Sequence, residues 1–241
     1  ATINVIGLTL LFLTPGLVIS GLIEWVSDDS HHEFSLFATA VIAAVLGLSL
    51  RAVTSIADDS MDRPKAIFSV VAWSWVGCVL IGMLPYLFAG VFPWSRIDNA
   101  LFETISGFST TGSTVLRDIE ATSSGILFWR QLTQWYGGMG IIVLAVTVLP
   151  SLGVGGLQLM TAESPGHESD KLRARSIDTA KSLWLVYFGV TITIALLLWA
   201  TPNVGLYDAV AHGLSTAAIG GFSTKNGSIG SFDSYIVELI I

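Results

Sequence analysis

The sequence predicts an all-α polytopic membrane protein. Two repeats of membrane helix, re-entrant half-helix, polar strand and membrane helix follow an N-terminal helix pair. Three observations lead to this fold class. Hydrophobic residues make up 52% of the 241 residues and charged residues 12%, the latter about half the share usual in a soluble domain; mean hydropathy is +0.72. Several apolar runs reach the roughly 20 residues a helix needs to cross a hydrocarbon core. Two further apolar-periodic pieces are too short to cross, and each leads into a near-copy of one polar string, GFSTTGS at 107–113 and GFSTKNGS at 221–228.

Taken in order, the first span is Ile3 to Val26, with Pro15-Gly16 inside it as an expected kink. It lacks a basic N-terminal region and ends in the acidic SDDS, so it reads as a span and not as a cleaved leader. SDDSHHE, 27–33, is a short turn before the second span, Phe34 to Leu50. The third runs from Ala66 to Val91. Ile97 to Phe108 is the first short piece; its Glu103, Thr and Ser residues suit a half-helix that enters and returns, not a lipid-facing span. Ile126 to Leu149 and Lys181 to Ala200 are spans four and five. The half-helix pattern then recurs within 206–230, and the chain closes on a short apolar run, SYIVELII. The expected division is a helix pair at 1–50, a cytoplasmic loop at 51–65, a first repeat at 66–149, a loop at 150–180 and a second repeat at 181–241. The one cysteine, Cys78, lies in an apolar run and reads as a small hydrophobe.

Basic residues set the orientation, because Lys and Arg collect in cytoplasmic loops. Arg51, Arg63, Lys65, Lys171, Arg173, Arg175 and Lys181 gather after spans two and four, seven of the eleven in the chain. Both half-helices therefore start on the outer side, with Asp28, Asp29, Glu33, Asp98, Asp118, Glu120 and Asp208. An acidic mouth concentrates cations. The net charge of −7 matters through this asymmetry, and no nucleic-acid partner is expected.

The lexical match of the two strings places Gly107 on Gly221. Aligning the half-helices instead pairs Ala100 with Ala209, Ile105 with Leu214, Ser106 with Ser215 and Gly112 with Gly221, an offset of 109 positions. In this second register Thr110, Thr111 and Gly112 correspond to Ile219, Gly220 and Gly221. The side chains differ while a glycine stays, as expected where the backbone is what meets the ligand. A dehydrated cation needs carbonyl oxygens in place of its water. Glycine permits positive φ, and the negative end of a half-helix dipole favours a cation. The candidate ligands are thus the backbone carbonyls of those six residues. The alternatives are a pair of helix-capping Ser/Thr/Gly loops, an intramembrane enzyme and a carrier of organic solutes. The enzyme would need catalytic polar groups converging at mid-depth, and the spans offer none outside the half-helix regions.

TISGFSTTGSTV, LFWRQLTQWYGGMGIIVLAV, LPSLGVGGLQL and AIGGFSTKNGSIGSFDS resemble the TrkH-type subunit of the bacterial Trk/Ktr/HKT potassium-transport superfamily, over nearly the whole chain. The resemblance implies four membrane helix–pore helix–filter strand–membrane helix units around one potassium path, after an extra helix pair. The chain would then hold that pair and the first two units, with units three and four outside this sequence. It further implies potassium (K+) as the transported ion, no organic cofactor, no enzymatic activity and a multi-pass place in the bacterial inner membrane, among lipid. The implied partners are a second copy in a homodimer and a cytosolic TrkA-type nucleotide-binding regulatory ring, for which the loop from Ser151 to Arg175 is a contact candidate.

Other residues carry two readings each. Gly137, Gly138 and Gly140 mark close helix packing or a hinge. Arg130, near Gln131 and Gln134, pairs with Glu103 or Asp118, or snorkels to the interface. Glu103 and His212 occupy matched positions and serve as hydrogen-bonding groups behind the strands or as ion ligands. His31 and His32 with Asp28, Asp29 and Glu33 form a solvated turn or a metal site.

Overall fold

A computed structural model describes residues 2–27, 32–53, 64–151 and 168–241. Its described residues form nine α-helices: α1 Thr2–Ser27, α2 Glu33–Val53, α3 Pro64–Gly82, α4 Leu84–Phe88, α5 Ile97–Phe108, α6 Ser124–Ser151, α7 Glu168–Trp199, α8 Leu206–Ala217 and α9 Tyr235–Ile240. Four stretches among them are long and apolar enough to cross a membrane: Ile3–Ser27, Glu33–Val53, Phe68–Phe88 and Thr179–Trp199. The 28-residue α6 is also long enough, but it turns Arg130, Gln131 and Gln134 inward and buries all three.

The sequence outline holds with three differences. The third span is interrupted at Met83. Pro85, in the first turn of α4, has no N–H to continue the ladder, and the Gly82 carbonyl accepts the Trp129 indole N–H at 3.0 Å. Helix α1 runs unbroken through Pro15. Helix α7 starts at Glu168, so the expected 150–180 loop is helical from there onward; a charged segment outside the hydrocarbon can extend a helix without changing the hydropathy signal. Most of the 51–65 loop, most of the Ser151–Arg175 contact candidate, and Asp28, Asp29 and His31 lie outside the described residues.

Helix α6 is the central post and touches α1, α3, α5, α7 and α8. Helices α1 and α2 pack closely at Gly7 and Gly47, where a Cβ on either would fall within 2.8 Å of the other's carbonyl oxygen. Named contacts fix which ends lie together. Glu24, near the end of α1, accepts the Gly125 N–H of the first turn of α6 at 2.6 Å, which satisfies an orphan donor at that helix start. Tyr207, at the start of α8, donates to the Ser124 carbonyl at 2.7 Å. The start of α8 therefore shares an end with the start of α6, and the Gly7–Gly47 contact lies at the opposite end. Leu8, Val41, Trp73, Leu185 and Val186 among others are exposed, as a lipid-facing surface requires.

Candidate functional site

The two half-helices, α5 and α8, are 12 residues each, and their first residues, Ile97 and Leu206, stand 109 positions apart. Both stop halfway along α6. Gly137 lies against the Phe108 carbonyl at the end of α5, and a Cβ on Gly138 would sit 3.3 Å from Ala218, just past the end of α8. A Cβ on Gly140 would sit 3.1 Å from the Trp75 ring. These glycines are packing positions: each accommodates a neighbour that a side chain would displace.

Each half-helix ends in the same way. Thr110 N–H donates to Gly107 C=O and Thr111 N–H to Ser106 C=O, both at 2.9 Å; Ile219 to Thr216 and Gly220 to Ser215 repeat these bonds at 2.9 Å. This is a Schellman cap, whose left-handed position glycine usually fills. Here it holds Thr110 at φ 54° and Ile219 at φ 55°, unusual and strained for β-branched residues. Two residues on, Gly112 and Gly221 take φ 75° and 80°. The sequence pointed to glycine for positive φ; the structure adds a second left-handed residue in each strand, at a position where side-chain type argues against it.

The cap consumes the Ser106, Gly107, Ser215 and Thr216 carbonyls, so most of the last helical turn is already satisfied. Among the described residues the carbonyls of Thr110, Thr111, Gly112, Ile219 and Gly221 accept no hydrogen bond, whereas that of Gly220 accepts the Gln134 side-chain N–H at 2.6 Å. The strands meet edge to edge: a Cβ on Gly112 would run into the Gly220 carbonyl oxygen and lie 3.4 Å from the Gly221 Cα. On its other side Gly221 meets none of the described residues within 4 Å of where a Cβ would stand.

Buried polar groups hold the strands from behind. Glu103 of α5 is fully buried; its carboxylate accepts from Thr114 Oγ1 at 2.8 Å, Val115 N–H at 2.9 Å and Arg130 Nε at 2.7 Å. Arg130, 1% exposed, also donates from Nη1 to the Ser223 carbonyl at 2.9 Å, and its guanidinium lies 3.5 Å over the Phe222 ring, a cation–π contact. His212 of α8 places Nε2 2.9 Å from Ser223 Oγ and Nδ1 2.8 Å from the Asp208 carbonyl. Glu103 and His212 thus engage side-chain hydroxyls at matching places, each eleven residues further on. Gln134 is fixed by its other end: Oε1 accepts from Ser215 Oγ at 2.7 Å and Phe222 N–H at 3.2 Å, which leaves the amide nitrogen for Gly220. Gln131 does not join this network. It is fully buried, and neither amide atom has a partner among the described residues.

Nearer the outer surface, Asn226 ties the repeats together. Its Nδ2 donates to Asp118 Oδ1 at 2.8 Å and its Oδ1 accepts the Ile119 N–H at 2.7 Å. That bond from Asn226 holds the Asp118 carboxyl below the usual aspartate range.

A backbone geometry repeated at one offset sets carbonyl oxygens at mid-depth between membrane helices, where carbonyl oxygen can replace the water around a cation. The family model described as TrkH, cation transport protein, matches residues 30–241. The chain belongs to the TrkH family. It is similar to the Trk system potassium uptake protein TrkH of Salmonella typhimurium, 40% identical over 245 residues that cover 100% of this chain and 49% of that protein. It is also similar to the Trk system potassium uptake protein TrkG of Escherichia coli, 40% identical over 181 residues that cover 74% and 36%. The crystal structure of the potassium transporter TrkH from Vibrio parahaemolyticus superposes with a TM-score of 0.82 at 33% identity, covering 99% of this chain and 47% of that one. The chain spans about half the length of the curated TrkH proteins it matches end to end. The TrkH family is one of transporters and not of enzymes, and this member is a multi-pass protein of the bacterial inner membrane.

Of the six strand residues expected from the sequence, the structure sets Gly112 directly against Gly220 and Gly221, while Ile219 is 89% exposed. Of the two partners weighed for Arg130, Glu103 takes it, and Asp118 takes Asn226. Sequence reasoning passed over Ser223 and Phe222 as the far anchors of Arg130, and Glu24 as the cap of α6. A buried acid at the end of an apolar span was the available signal for Glu24; nothing in the string marked Ser223.

Proposed function

We propose that this chain supplies half of a potassium-selective path for uptake across the bacterial inner membrane. The lining is formed by the backbone carbonyls of Thr110, Thr111, Gly112, Ile219, Gly220 and Gly221. One observation carries the reading: among the described residues, two strands with the same pair of left-handed residues at an offset of 109 leave five of these six carbonyls without a donor. A carbonyl oxygen has two lone pairs, so the Gly220 oxygen can accept from Gln134 and still face an ion. No covalent chemistry is required; the path exchanges the ion's water for carbonyl oxygen.

The relatives' names supply the ion, potassium. The open flank of Gly221 supports a further strand beside it, so the rest of the filter belongs to two more units of the complete polypeptide. The same reading places lipid around the helices and a second copy beside the protein as a homodimer. It also docks a TrkA-type nucleotide-binding ring against the cytoplasmic face, at the segment from Ser151 to Arg175. The division at 1–50, 51–65, 66–149, 150–180 and 181–241 is part of the proposal.

The test is ion competition. Cells or vesicles carrying the complete polypeptide should take up potassium in preference to sodium, and Gly112→Ser or Gly221→Ser should each erode that preference. Unchanged selectivity in both variants would reject the carbonyl-lined path, and competition by an organic solute would reject potassium as the cargo.

A further inference from the structure

Among the described residues, the buried ion pair of Glu103 and Arg130 spans the two strands. Counted at the repeat offset of 109, Ser223 of the second strand is the counterpart of Thr114 in the first. Glu103 binds the Thr114 hydroxyl and the next backbone N–H, and Arg130 carries the connection on to the Ser223 carbonyl. The two charges are 2.7 Å apart and 0% and 1% exposed. The chain of contacts therefore joins the same rung of both strands, running Thr114, Glu103, Arg130, Ser223.

We infer that the Glu103–Arg130 pair is a positioning and specificity-determining element of the path: it sets the spacing of the two strands and keeps the charge behind them balanced. The inference rests on the potassium path proposed above and names a device within it. Two physical requirements meet at this pair. A filter that distinguishes cations needs its oxygens held at fixed separation, and a planar guanidinium with three simultaneous contacts holds a carbonyl more rigidly than a lysine ammonium. A buried positive charge close to a cation path would repel the ion unless neutralised, and the low dielectric lengthens the reach of that repulsion. The carboxylate of Glu103 supplies the neutralisation. In the second repeat the matched position is His212, which meets Ser223 Oγ; the cation near it, Lys225, lies 3.7 Å from the Asp208 carboxylate, so the balancing charge there comes from a residue other than the one matched to Glu103.

Charge balance makes the single variants unequal, which an ordinary structural pair would not. In the complete polypeptide, Glu103→Gln leaves Arg130 unopposed and should lower potassium flux on the order of tenfold, a factor worth about 1.4 kcal/mol in a barrier. Arg130→Gln leaves a carboxylate, which retains cations; flux should fall less, while the potassium-over-sodium ratio declines. The doubly neutral Glu103→Gln/Arg130→Gln protein should recover most of the flux lost in Glu103→Gln but not the selectivity. Arg130→Lys, with charge kept and the fork lost, should lose selectivity by a larger factor than it loses flux. Flux is normalised to the protein present in the membrane. Equal losses in both single variants, no recovery in the double variant, or failure of the double variant to reach the membrane would overturn the inference and leave the pair a fold element. If the unsubstituted protein shows no preference for potassium over sodium, the proposed path itself fails. If it shows the preference and the variants match it, only this inference fails.

Discussion

The two repeats share a backbone but differ in what stands behind it. Helix length, cap, left-handed residues and glycine fall at one offset in both. The supporting side chains do not correspond. Behind the first strand is an ionised pair, Glu103 with Arg130; behind the second is an imidazole, His212, with the amide of Gln134. Where Gly220 packs on Gln134, its counterpart Thr111 is exposed and meets Ser109 Oγ at 2.7 Å. The comparison teaches that the shape of the strand is the shared requirement, and that each copy reaches it with local chemistry.

The largest test of that contrast is Glu103→Gln set against His212→Gln. Leaving Arg130 as an unpaired buried charge should destabilise by about 3–5 kcal/mol, whereas glutamine in place of His212 keeps a group able to bond Ser223 and should cost about 1 kcal/mol. Thermal unfolding in lipid nanodiscs reads both, and equal losses would erase the distinction. Next in size is Gly220→Ala, whose Cβ has no room against the Gln134 amide; overpacking of this kind costs roughly 1–3 kcal/mol. Thr111→Ala, at the matching place, should stay within about 0.5 kcal/mol.

A third comparison probes equivalence instead of difference. Asparagine tolerates the left-handed region far better than a β-branched residue. Thr110→Asn and Ile219→Asn should therefore each raise stability by about 1 kcal/mol. A gain in one repeat alone would show that the two caps are not strained alike. The smallest expected effect is a pH dependence at the outer surface. Asp118 titrates below its unfolded value because Asn226 bonds its carboxylate, so this contribution is complete above the ordinary aspartate range. It is lost as pH falls through the lowered value. Hydrogen-exchange protection of the Ile119 amide should fade over that acid range, and in Asn226→Ala it should be low throughout.

Much of this architecture was legible in the string. The bounds of the first half-helix, Ile97 to Phe108, and the start of the second at Leu206 follow from where apolar periodicity begins and fails, and the register follows from aligning those pieces instead of the repeated letters. What escaped was set by tertiary distance or by strain. Thr110 and Ile219 adopt positive φ against their own preference because the Schellman bonds and the packed helix ends hold them there. Arg130 had two acidic candidates in sequence, and only the fold decides between Glu103 and Asp118. The early start of α7 lies in a charged segment, where hydropathy is silent about helix.

Arg130 and Gln134 sit one turn apart on the inner helix of the first repeat, yet both reach the strand of the second. The unit of sequence is therefore not the unit of support. A polypeptide cut between repeats would carry each strand away from the helix that shapes it, and a lone repeat could recover such a brace only from another molecule. Assembly is built into the motif itself: the second strand takes its shape from side chains that the first repeat carries.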